Sequence, residues 1–155
     1  MKNIFFDEEI STDDLYFLCY MIERVARKLQ QRNQYVVNQI PRDEWVRLIS
    51  LANVLHCENP LKVMDEWIEE YHLKKGNFDI TNVDNELVKQ IPSETQMGKV
   101  YQRLILDTLQ KDENYVDGMI RVYHSEICEK IDDYNCSAYY EPSYIVERAY
   151  YAGEF

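Results

Sequence analysis

Glycine and proline are both scarce, with four of each in 155 residues. A chain so poor in turn residues favours long helices over a sandwich of many short strands. It also lacks G-x-x-x-x-G-K-[ST] and G-x-G-x-x-G, so no loop is available to cradle phosphates. The four cysteines, Cys19, Cys57, Cys128 and Cys136, form no C-x-x-C pair. No apolar window approaches the roughly 18 residues that a membrane span needs. Met1–Glu9 show no basic stretch leading into a long apolar run. These absences point to a reducing, cytoplasmic setting. Cys19, Cys57 and Cys128 fall among apolar helical residues, where a free thiol behaves as a small hydrophobe.

Apolar residues make up 46% of the chain and aromatics 13%, enough for a folded core in a chain the length of one domain. Charge is uneven. The formal net charge is -11; residues 1–77 hold 10 basic and 13 acidic side chains, and residues 78–155 hold 7 and 15, so the second half carries -8 of it. That field repels phosphate and argues against direct nucleic-acid binding. It would steer basic partners inward, although acidity also serves simple solubility.

Apolar spacing predicts an all-α, single-domain bundle of about five to six helices over 1–155. Ser11 and Thr12 ahead of Asp13 and Asp14 suit a helix N-terminus. Leu15, Leu18, Cys19, Ile22, Val25, Ala26 and Leu29 then trace one stripe of a first helix over 12–32. Residues 33–40 allow a turn or two. Pro41 opens a second helix to about His56, apolar on most sides and therefore expected at the centre. Asn59-Pro60 starts a third, over 60–73, with Gly76 as its expected C-cap. Residues 74–92 are the least periodic and a possible seam, with a short helix near Leu87–Ile91. Ser93-x-x-Gln96 resembles a capping box and opens a fourth helix to Leu109. A fifth is expected over 115–133, and Pro142 begins a last one to about Ala152.

Chemistry-bearing constellations are sparse. Glu69 and His72 form one Glu-x-x-His, whereas a di-iron bundle needs two such motifs and two more glutamates. His124 and Cys128 stand four apart, as two zinc ligands could, without a second pair. His56 and Cys57 are adjacent and diverge by about 100° on a helix. His124-Ser125-Glu126 matches half of a zinc deaminase signature and lacks the Pro-Cys-x-x-Cys half. No metal, cofactor or catalytic residue set is therefore expected. A small enzyme using Glu69 with His72, or His124, stands as the alternative, and an acidic nucleic-acid mimic as a third reading.

The richest segment is the last. Tyr139, Tyr140, Tyr144, Tyr150, Tyr151 and Phe155 crowd residues 139–155. Tyrosine pairs a large rigid apolar face with one hydroxyl and suits protein contact surfaces. At helical spacing Tyr140, Tyr144 and Tyr151 share a face with Arg148, and Tyr139 and Tyr150 point elsewhere. The shared face could dock the last helix on the core or meet a partner.

The runs Leu15–Lys28, Leu51–Glu58 and Trp67–Tyr71 resemble a group of small acidic helical bacterial proteins found beside ADP-ribosyltransferase-like toxin genes. That resemblance covers the first half and, more loosely, the tyrosine-rich end. It implies an antitoxin or immunity-like role. The combined expectation is a non-enzymatic protein-binding module that masks a basic protein partner, and the resemblance implies a co-encoded toxin as that partner.

Overall fold

The computed structural model describes residues 10–155. Residues 1–9, on which the reading of the amino-terminus rests, lie outside the described residues. Eight α-helices and one 3-10 turn make up the described secondary structure: α1 (Thr12–Leu29), α2 (Asn33–Gln39), α3 (Arg42–Leu55), α4 (Pro60–Glu70), α5 (Glu94–Thr108), α6 (Tyr115–Tyr123), α7 (Ile127–Ile131), the turn Ala138–Tyr140, and α8 (Ser143–Ala152). The all-α class holds, and the helix count exceeds the expected five to six.

Two breaks account for the surplus. Residues 33–39 close into two real turns as α2. The expected helix over 115–133 divides at His124–Glu126 into α6 and α7. There the Ser125 hydroxyl donates to the Val122 carbonyl at 2.6 Å, and the Ser125 amide donates to the same oxygen at 3.0 Å. A serine that bonds back to the preceding turn competes with the helical ladder. The helix expected near Leu87–Ile91 is absent; that stretch is turn and bend.

Helix α1 is the centre, packing chiefly against α5 and also against α2, α3 and α4. This corrects the expectation of a central α3: its second apolar face is buried at Val46, half-buried at Leu51 and outside at Val54, which is 56% exposed. Gly98 sets the α1–α5 spacing. A Cβ there would lie 3.0 Å from the Tyr20 Cα and 3.0 Å from the Tyr16 ring, so only glycine allows this approach without a shift. The caps follow sequence logic in part. Ser11 and Asp14 form a reciprocal capping box, and Ser93 accepts from the Gln96 amide at 3.1 Å. Gly76 is not the cap of α4. That helix ends earlier, with His72 in the left-handed region at φ 53 and the Leu73 amide returning to the Ile68 carbonyl. Gly76 instead lies against α1's C-terminal turn, where a Cβ would meet the Gln30 carbonyl at 2.8 Å.

Residues 74–92 bridge the halves without dividing the core. The Gly76 and Phe78 amides bond to the carbonyls of Leu29 and Gln30, Ile80 is buried, and one hydrophobic cluster draws on residues from Leu15 to Ala149. No described helix is long and apolar enough to cross a membrane.

Candidate functional site

The carboxy-terminal helix is held by its inward residues. Val146 and Ala149 of α8 are buried and Tyr150 packs beside them. Arg121 of α6 locks the joint: it donates to the Tyr150 hydroxyl at 2.7 Å, to both Glu113 carboxylate oxygens at 2.7 and 3.0 Å, and to the Thr108 carbonyl at 3.1 Å. One guanidinium thus ties the end of α5 to α6 and α8. Its hydrogen bonds hold the Glu113 carboxyl below the usual range. Tyr139 also turns inward, its ring 5.3 Å from the buried Tyr134 ring in an edge-on pair.

The sequence left two roles open for the Tyr140, Tyr144 and Tyr151 face, and the docking role falls to the other tyrosines. Tyr140 is 76% exposed, Tyr144 61% and Tyr151 64%, and Phe155 joins them at 48%. Among the described residues eight large hydrophobics stay exposed, and four of these lie in residues 140–155. Exposed aromatic residues grouped in one short segment are candidates for a contact site.

Acids gather beside it. Glu94, Glu113 and Asp117 are paired to Arg27, Arg121 and Arg42. By contrast Glu126, Glu129, Asp133, Glu141, Glu147 and Glu154 make no ion pair among the described residues. Asp79, Asp84, Glu86, Asp107 and Asp112 also make no ion pair among the described residues, and neither do the cations Lys130 and Arg148, so the unpaired acids are spread along the second half, with Glu141, Glu147 and Glu154 in its aromatic last segment. Between α7 and the turn at Gly153 lies a groove of about 530 Å³ lined by Glu126, Glu129, Lys130, Ala138, Glu141 and Phe155, among others. Sequence reading singled out the tyrosines and missed these acids, because they come from α7 and the Glu141 bend and meet only in space.

The constellations suspected of chemistry are not assembled. His72 leaves the helix through its left-handed backbone, so Glu69 and His72 lose the i, i+3 register. His124 is exposed against the Asn38 side chain, whereas Cys128 is buried beside the Tyr101 hydroxyl at 2.9 Å. Cys57 is exposed rather than buried, correcting its reading as a core hydrophobe. Its sulfur approaches His56 Nδ1 at 3.7 Å and Nε2 at 3.9 Å, a contact on the ring's side rather than an aligned hydrogen bond. No cluster of three or more potential metal ligands occurs among the described residues.

A buried polar network pins the segment that carries the groove. Asn33 Nδ2 donates to Glu23 at 3.0 Å and to both Asp132 oxygens at 3.2 Å. Tyr101 donates to Asp132 at 2.7 Å, Tyr134 to Glu23 at 2.8 Å, and Arg27 to Glu23 at 2.8 Å. Desolvation and the facing Glu23 charge push the Asp132 carboxyl up to about 8, and burial pushes the Cys128 thiol up beside it. Asp132 and Tyr134 follow α7 directly, so these bonds fix the groove's floor to α1 and α2. The spacing carried a signal of this: Glu23 stands four after Cys19 and three before Ala26, inside α1's apolar stripe.

The fold defines an all-helical protein with an acidic, aromatic carboxy-terminal face. Comparison with family models, curated proteins and solved structures finds no match.

Proposed function

We propose that this chain is a non-enzymatic protein-binding module whose carboxy-terminal face masks a basic protein partner in the cytoplasm, an antitoxin or immunity-like role in keeping with the resemblance of its first half. The observation that carries this reading is the coincidence of exposed Tyr140, Tyr144, Tyr151 and Phe155 with carboxylates that lack ion-pair partners among the described residues. Aromatic side chains supply contact area at low entropic cost, and a surrounding field of one sign selects and steers a partner of the other. Among the described residues Glu69 with His72, and His124 with Cys128, are not brought together as a catalytic or metal pair, which supports a binding role over catalysis. The diversion of Glu94, Glu113 and Asp117 into internal ion pairs weakens the alternative of a phosphate-mimicking stripe.

The test is capture from native lysate by the tagged protein, at low and high salt, alongside the triple variant Tyr140→Ser, Tyr144→Ser, Tyr151→Ser. A stoichiometric basic protein should co-purify with the wild type at low salt and be lost from a triple variant that melts at the same temperature. Undiminished capture by the triple variant sinks the reading.

A further inference from the structure

Resting on that reading, we propose that the groove between α7 and the Gly153 turn is the anchor socket of the face and takes one arginine side chain of the basic partner. The groove, of about 530 Å³, is far larger than one side chain's stem requires, and its walls are of two kinds. Ala138 and Phe155 are apolar members of the lining, and Phe155 follows Gly153, which turns the chain through the left-handed region at φ 80, its amide donating to the Ala149 carbonyl. A side chain other than glycine resists that conformation. Glu126 at the N-cap of α7, Glu129 of α7 and Glu141 line it as well. Among the described residues the Glu141 carboxylate accepts only from the Ser137 hydroxyl, at 3.1 Å, which leaves acceptor capacity on it.

One cation is already present. Lys130 lines the same groove and has no carboxylate within ion-pair distance among the described residues. Against Glu126, Glu129, Glu141 and Glu154 it leaves the lining net negative. The groove thus attracts a second positive group while Lys130 opposes it. The Cys136 thiol does not compete, since it donates to the Lys130 and Asp133 carbonyls at 3.2 and 3.1 Å. An aliphatic stem against Ala138 with a charged head among carboxylates matches a long basic side chain. Arginine is favoured over lysine because its planar guanidinium can engage a carboxylate with two parallel bonds and also stack on the Phe155 face.

The experiment is a titration of the full-length isotope-labelled protein, followed by amide shifts in low salt, with acetyl-arginine-methylamide and with its neutral citrulline counterpart. Saturable shifts at Glu129, Cys136 and Phe155 are expected with the arginine compound alone. Glu129→Gln should weaken its binding about fivefold and Lys130→Ala should strengthen it by a similar factor, the scale of one partly exposed charge. Asp65→Asn, an exposed acid on α4, should change nothing. Equal shifts with citrulline, or variants at 129 and 130 that fail to move affinity in opposite directions, overturn the socket. The two readings fail separately. If partner capture is lost with Tyr144→Ser and Tyr151→Ser yet survives Glu129→Gln with Glu141→Gln, the face stands and the socket falls. If arginine binding holds while capture ignores the tyrosines, the socket stands and the wider reading falls.

Discussion

Adjacent tyrosines in α8 have opposite employments, and mutation separates them. Tyr150 is partly buried and accepts a hydrogen bond from Arg121, whereas Tyr151 is 64% exposed. Tyr150→Ala should cost about 2 kcal/mol through lost packing and the loss of one of the hydrogen bonds of Arg121, a Tm fall of several degrees by calorimetry. Tyr151→Ala should stay within about 0.5 kcal/mol of wild type. A second residue-scale prediction concerns Asp132, which faces Glu23, Asn33, Tyr101 and Cys128, with Arg32 nearby. Its carboxyl is raised from 3.8 to about 8 by burial and the Glu23 charge. Between those two values the folded chain holds a proton that the unfolded chain has released. This group's contribution to stability is therefore complete below the lower value and lost as pH rises through the upper one. Tm measured across that window should fall with rising pH, and Asp132→Asn should flatten the slope. An unchanged slope in Asp132→Asn would show that the proton resides elsewhere.

At the scale of elements, the α1–α5 contact depends on the missing side chain of Gly98. Gly98→Val should destabilise by about 1–3 kcal/mol, since the added methyls meet the Tyr20 backbone and not a flexible chain end. Gly98→Ala should be nearly neutral, because about 1 kcal/mol of helix propensity offsets a Cβ contact at 3.0 Å. Urea unfolding of both variants checks this; equal loss in the two would mean that the helices can part freely. Element positions were largely legible, because apolar spacing and the serine caps at Ser11 and Ser93 mark them locally. The end of α4 was not. Lys74, Lys75 and Gly76 look like a helix stop, but the chain leaves the helix at Tyr71 and His72, and Gly76 is needed for its approach to Gln30. The split of the 115–133 helix was equally hidden, since one serine hydroxyl decides it against an apolar pattern that continues through.

At the scale of the whole molecule, charge and shape act together. Three acids of the second half, Glu94, Glu113 and Asp117, are taken up in internal ion pairs, and most of the rest of the net charge of -11 is left to act on the surroundings. Association with a basic partner should slow markedly between low and physiological salt, as screening shortens the reach of surface charge to about 8 Å. Stopped-flow rates would show this, with the dissociation rate changing less; a salt-independent association rate would remove steering from the account.

By itself the sequence determined that the chain is helical, where most helices begin, and that aromatic residues collect at the carboxy-terminal end. All of these follow from local pattern: spacing of apolar residues, capping side chains and composition. Tertiary structure alone decided which helix is central, which tyrosines dock and which face outward, and that Glu23, Asn33 and Asp132 share one buried network. Each of these depends on what lies opposite a side chain in space. Helical spacing fixes which residues share a face, and only packing against other helices fixes where that face points.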